Sequence, residues 1–211
     1  ETVCQKSGVQ VRSICADYFM EAPLHSSDST TRDKSRAQLV KLIRNAPRLG
    51  VTDIVIPCVD QASLLEKQSQ RSLIDTLRRL QLVLESAKLN LALETDLGPQ
   101  EFQRLLEEIG LPQVTVNYDI GNSAALGYDT EEELSVYGNC ITDVHIKDRT
   151  KGGGSVELGT GDADIEKSLS LLLDINYSRF FIMQAFRDDE GLAIFERQLK
   201  LFRKMLKSAG Y

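Results

Sequence analysis

Four short apolar segments of this chain each end near a side chain that can bind a cation or move a proton. Asn90-Leu91-Ala92-Leu93-Glu94-Thr95-Asp96 carries Glu94, and Val114-Thr115-Val116-Asn117-Tyr118-Asp119 ends on Asp119. Thr142-Asp143-Val144-His145-Ile146-Lys147-Asp148 carries His145, and Phe180-Phe181-Ile182-Met183-Gln184 ends on Gln184. Two carboxylates, an imidazole and an amide oxygen make a ligand set for one divalent cation. Oxygen-rich ligation suits Mn²⁺, Mg²⁺ or Co²⁺, and the imidazole tips the preference toward Mn²⁺, Co²⁺ or Zn²⁺. Taken singly, each residue has an ordinary alternative: Glu94 as a salt-bridge partner, Asp119 as a turn aspartate before Ile120-Gly121-Asn122, His145 as a hydrogen-bonded core histidine. The joint pattern weighs more than any member.

Other polar residues flank these positions. Asn122, Lys147 and Lys151 follow the proposed ligands and could hold substrate oxygens, and Arg187, just after Gln184, could meet an anionic group. Asp96 offers a second carboxylate base. Lys151-Gly152-Gly153-Gly154-Ser155 lacks the Gly-Lys-Ser/Thr ending of a P-loop and reads as a loop over the pocket. Gly159-Thr160-Gly161-Asp162 lacks the third glycine of a dinucleotide fingerprint, and acidic residues precede its helix, which disfavours nucleotide phosphates. Asp162 or Asp164 is expected to cap that helix. His25, in Leu24-His25-Ser26-Ser27-Asp28, reads as an exposed loop histidine, and no Gly-x-Ser-x-Gly nucleophile motif is present.

The elements that must position these residues alternate between short β-rich runs and longer segments of helical spacing, the pattern of parallel strands with helical crossovers. Strands are expected over Val9–Ala16, Asp53–Cys58, Asn90–Thr95, Val114–Asp119, Thr142–Lys147 and Phe180–Gln184. Helices are expected over Asp33–Arg44, Ser72–Ala87, Pro99–Ile109, Ile165–Leu173 and Leu192–Lys207, with a further short one opened by a capping box at Thr130-Glu131-Glu132-Glu133. Six strand–helix units could form a doubly wound sheet or most of an eight-stranded barrel, and periodicity alone does not choose. In both, chemistry collects at the carboxyl ends of the strands, where the candidates lie. A complete barrel takes ~250 residues, so the barrel reading expects one or two N-terminal β/α units to lie outside this chain.

The 211 residues, 42% hydrophobic and 27% charged, describe an ordinary globular protein and one domain over residues 1–211. Lysine and arginine total 25 against 31 acidic residues, a net charge of −6 that disfavours nucleic acid as a partner. No apolar run approaches the ~18 residues of a membrane span. Cys4, Cys15, Cys58 and Cys140 show no disulfide or zinc spacing. Three of them sit in apolar runs, as thiols do in a reducing cytoplasm, and no export signal opens the chain.

Ala92-Leu93-Glu94, Tyr118-Asp119-Ile120-Gly121-Asn122, Asp143-Val144-His145-Ile146-Lys147-Asp148 and Leu158-Gly159-Thr160-Gly161 resemble, in order and spacing, the xylose-isomerase-like sugar (phosphate) isomerases and epimerases. The resemblance runs from about Gly8 to the end. It implies an α/β fold, a (β/α)₈ TIM barrel, with one divalent metal at the carboxyl-end mouth held by Glu, Asp, His and a second Glu. Glu94, Asp119 and His145 take the first three positions by that resemblance, and homo-oligomers are common in such a family. At the fourth position stands Gln184, whose amide oxygen can ligate metal but cannot act as a general base.

The expected activity is proton abstraction α to a carbonyl of a small sugar or sugar phosphate, through a metal-stabilised enediolate, with Glu94 as base. Two other functions compete with it. One is a metal-dependent phosphodiesterase of the apurinic-endonuclease type, which shares the barrel but uses many histidines where this chain has 2. The other is a degenerate carbohydrate-binding barrel without turnover, motivated by Gln184.

Overall fold

A helix over Thr2–Ser7 (α1) leads to the short strand Ser13–Cys15 (β1). After helices Tyr18–Glu21 (α2) and Ser29–Asn45 (α3), the chain enters Asp53–Cys58 (β2), whose residues are all buried. Two more helices, Lys67–Arg78 (α4) and Gln81–Ala87 (α5), precede Asn90–Thr95 (β3); Pro99–Ile109 (α6) then precedes Val114–Asp119 (β4). Described here are residues 2–189 and 191–211 of a computed structural model. The chain folds as two units, Glu1–Val116 and Asn117–Tyr211, which divide within β4.

In the first unit the strands pair in parallel and in chain order. Ser13 to Cys15 lie opposite Asp53 to Val55, Asp53 to Cys58 opposite Asn90 to Thr95, and Leu91 to Leu93 opposite Val114 to Val116. Pro57 is tolerated inside β2 because the β1 ladder stops at Val55, so the missing N–H costs no rung. Ile54, Val55, Leu91, Ala92 and Leu93 are fully buried, as are Leu39 and Ile43 of α3 and Leu73 and Leu77 of α4. Parallel strands buried on both faces are continuous apolar runs for this reason. Apart from the buried Thr115, polar residues of these strands are left to their ends.

The second unit begins with the end of β4 and continues through Ile120–Leu126 (α7), Thr130–Tyr137 (α8) and Ile141–Ile146 (β5). A two-stranded antiparallel hairpin, Asp148–Arg149 (β6) with Ser155–Val156 (β7), is followed by Ile165–Asp174 (α9), Phe181–Met183 (β8) and Leu192–Ala209 (α10). Strands β5 and β8 are parallel, with Val144, His145 and Ile146 opposite Phe181, Ile182 and Met183. Among the described residues no helix is long and apolar enough to cross a membrane.

Five local expectations are corrected. The first strand is three residues long rather than Val9–Ala16, and the last omits Phe180, which is exposed. Ser72–Ala87 is not one helix: the backbone breaks at Arg79–Leu80, where Leu80 has φ −97° and ψ 0°. Arg78 donates to the carbonyl oxygens of Glu108 and Ile109, tying the end of α4 to the end of α6. Leu80 and Leu84 stay buried on both sides of the break, so the apolar spacing survives it. The cap of α8 is Asp129, whose carboxylate accepts the Glu132 N–H, and not Thr130. His25 is buried rather than exposed.

Candidate metal centre

Period-two alternation decides which side chains of the second unit meet. Asn117 and Asp119 share one face of β4, and Asp143 and His145, with Lys147 just beyond, share one face of β5. Asp119 and His145 are 3% and 1% exposed. Asp119 Oδ1 accepts the backbone N–H of Asn122 at 2.8 Å and so caps α7, while Oδ2 faces the Lys147 ammonium at 3.1 Å and His145 Nδ1 at 3.9 Å. The turn reading and the ligand reading of Asp119 therefore describe different oxygens of one group. Asn117 Nδ2 lies 3.1 Å from His145 Nδ1, a contact that holds the imidazole in place.

Gly121 makes this arrangement possible. A Cβ there would lie 2.9 Å from the Lys147 carbonyl carbon and oxygen, so only glycine lets α7 pack on the strand end. Gln184 follows β8 directly, and its backbone N–H bonds Ile146 O at 3.0 Å, extending the β5–β8 ladder by a rung. Its side-chain oxygen meets the Lys147 ammonium at 3.2 Å, and Asn122 Oδ1 meets the same ammonium at 3.3 Å. The structure thus gathers Asp119, Asn122, His145, Lys147 and Gln184 in one place.

Two further residues belong to the cluster and were not singled out from the sequence. Asn117 was signalled by the alternation that also places Asp119. Arg149 donates to Asn122 Oδ1 at 2.8 Å and, through two nitrogens, to Gly153 O. Nothing in its spacing distinguished it from a solvated arginine after a strand.

The remaining candidates sit differently. Lys151 is exposed, with its stem across Gly127 at the end of α7 and its N–H bonded to Asp162. Arg187 is exposed between β8 and α10, held by no hydrogen bond or ion pair among the described residues. The Gly159-Thr160-Gly161 stretch serves the architecture of the loop, because the buried Asp148 carboxylate accepts the N–H groups of Gly159, Gly161 and Ala163. Asp164 caps α9 through the Lys167 N–H.

In the first unit Glu94 is buried at the end of β3, 6% exposed. Asp96 accepts the Leu64 N–H at 3.2 Å. Burial, with the charges of Asp96 and Glu94 adding to it, pushes the Cys58 thiol far above the usual range, so this cysteine stays protonated. Burial also lowers the His25 pKa, against opposing contributions from the Ser63 and Ala62 backbone and from Asp96.

A carboxylate oxygen, an imidazole and an amide oxygen, drawn together and mostly buried, are hard or borderline donors of the kind that fit a divalent cation. A family model described as xylose isomerase-like TIM barrel matches residues 1–205. The chain belongs to the xylose isomerase-like TIM-barrel family. A relative in Escherichia coli, L-ribulose-5-phosphate 3-epimerase UlaE, is 26% identical over 188 residues, covering 85% of this chain and 66% of its own, so the chain spans about two thirds of that protein. Among solved structures, a xylose isomerase domain protein from Planctomyces limnophilus superposes with a TM-score of 0.81 at 20% identity, over 99% of this chain and 82% of that one. A xylose isomerase-like TIM-barrel protein from Mycobacterium smegmatis, solved in complex with magnesium, gives 0.76 at 19% identity, over 99% and 76%. These likenesses establish the (β/α) barrel fold of the family for this chain, choosing it over the doubly wound sheet.

Proposed function

We propose that this family member is a divalent-metal-dependent isomerase or epimerase acting on a small sugar or sugar phosphate, with Glu94, Asp119, His145 and Gln184 as the ligand set. We further take residues 1–211 as one barrel domain. The observation that carries the reading is the buried Asp119–His145 pair, 3.9 Å apart, with the Gln184 amide oxygen drawn to the same ammonium as Asp119. Support comes also from the family and from the epimerase named among its relatives. Mn²⁺ suits the mixture of oxygen donors and one imidazole, with Co²⁺, Mg²⁺ or Zn²⁺ as alternatives.

Bound there, the cation would supply Lewis-acid polarisation of the substrate carbonyl and its neighbouring hydroxyl. Glu94 takes the proton α to the carbonyl and returns it to the adjacent carbon, while the hydroxyl proton passes between the two oxygens. Gln184 ligates but offers no basic site, so inversion of a stereocentre by two opposed bases lacks its second member at this position. A one-base shuttle between adjacent carbons, interconverting aldose and ketose, fits the chain better. We take Asn122 as a substrate-binding residue, its side chain held at the centre by Lys147 and Arg149.

The test is calorimetric titration of Mn²⁺ into metal-stripped protein. One ion per chain is expected for the wild type and none for Asp119→Ala or His145→Ala, with both variants still melting cooperatively. Stoichiometric metal in either variant would overturn the ligand assignment. A screen of ketose and aldose phosphates in D₂O, followed by proton NMR, then tests the reaction: exchange at the α-carbon is expected, and its loss in Glu94→Gln.

A further inference from the structure

Lys147 was expected to hold substrate, yet the partners of its ammonium are protein oxygens: Asp119 Oδ2 at 3.1 Å, Gln184 Oε1 at 3.2 Å and Asn122 Oδ1 at 3.3 Å. An ammonium has three donors and no acceptor, and here three acceptors surround it. Two of those oxygens belong to the proposed ligand set. Because Asp119 Oδ1 is taken by the helix cap, Oδ2 is the oxygen left to meet a cation, and it is the one that Lys147 holds. We propose that Lys147 sets the metal affinity of this centre, its ammonium competing with the divalent cation for Asp119 and Gln184. The inference rests on the metal reading above and adds a residue that acts on it.

The sign follows from charge and burial. Removing Lys147 takes from Asp119 a full positive charge and leaves beside it His145, which is charged only when protonated, and the Asp119 side chain is 1% exposed. A buried carboxylate stripped of its counter-charge gains strongly from a divalent ion, and the like-charge repulsion from the ammonium vanishes at the same time. Against this stands the loss of one hydrogen bond that orients the Gln184 amide, a smaller effect than a full charge at this range. The packing also keeps the lysine in place: α7 approaches so closely at Gly121 that a Cβ there would lie 3.0 Å from Lys147 Cγ. The side chain itself is only 19% exposed.

The experiment is calorimetric titration of Mn²⁺ into the metal-stripped full chain, comparing wild type with Lys147→Met, which keeps the length of the stem without the charge, and with Lys147→Gln. Both variants are expected to bind one Mn²⁺ more tightly than wild type by about ten- to a hundredfold, the range over which groups around a metal site tune affinity. Lys147→Arg, which keeps the charge, is expected to stay on the weak side. Circular dichroism melts identify any variant that has lost its fold, and the other neutral variant then carries the comparison. Wild-type and neutral variants binding one ion with equal affinity, or the neutral variants binding more weakly, would overturn the inference and leave the metal reading standing. No binding by any of them would overturn both.

Discussion

At Asp119 the two oxygens of one carboxylate have separate roles, and the division explains why the residue must be aspartate. Oδ1 closes the first turn of α7, and Oδ2 faces the charged and imidazole groups of β5. Glutamate would move both oxygens by a methylene and asparagine would replace an acceptor with a donor. His25 is a residue-scale case with a pH signature. Burial of its ring, whose Nδ1 has no hydrogen-bond partner among the described residues, disfavours the charged form and puts its pKa below the ordinary 6.5. The unfolded chain takes up a proton near the ordinary value while the native chain resists, so stability is lost as pH falls from about 6.5 toward the lowered native pKa and levels off below it. The melting temperature of wild type is expected to drop between pH 7 and 5, with His25→Gln showing a shallower drop. Because the chain has 2 histidines, the same scan on His145→Ala separates the two contributions. Identical slopes for His25→Gln and wild type would show that His25 protonates equally in both states.

At the scale of elements, the β6–β7 hairpin and the loop after it are organised around one buried carboxylate. Asp148 is 1% exposed and collects three backbone N–H groups from the segment 159–163, so the Gly-x-Gly pattern serves close approach and not phosphate binding. A Cβ on Gly161 would lie 2.3 Å from Asp148 Oδ1 and 2.7 Å from Arg149 O, and the second of these is backbone that cannot swing aside. Gly161→Ala is therefore expected to cost about 2–3 kcal/mol, as overpacking commonly does, which lowers the melting temperature of a chain this size by roughly 4–12 °C. A melting temperature within a degree of wild type would show that the loop relaxes freely. The strands of this molecule were legible because Leu91 to Leu93 are apolar on both faces and stop at Glu94, and Val114 and Val116 flank one buried threonine before Asn117. The break between α4 and α5 was not, since neither glycine nor proline marks it and Leu73, Leu77, Leu80 and Leu84 keep a helical spacing across it. The hairpin escaped notice because two-residue strands leave no periodicity to read. His25 was misplaced because a polar loop sequence says nothing of what packs over it.

For the whole molecule, charge rather than fold separates the isomerase reading from the phosphodiesterase that shares the barrel. The family match leaves both chemistries open, since one scaffold hosts many reactions and activity lies in the site. The chain carries −6 overall, from 25 basic against 31 acidic residues, and Lys147 and Arg149 are already tied to protein oxygens. Binding a duplex requires several lysines or arginines set against phosphates, each releasing counterions, and an acidic chain gains this only from a concentrated basic face. Fluorescence anisotropy with an abasic-site duplex at about 50 mM salt, where such electrostatic binding is strongest, is therefore expected to show no saturable complex. Incubation with Mn²⁺ or Mg²⁺ is expected to leave the strand uncut. Metal-dependent incision, abolished by Asp119→Ala, would transfer the same ligand set to phosphodiester chemistry and overturn the sugar reading, because water would then be the nucleophile and Glu94 would serve to activate it in place of taking a carbon-bound proton.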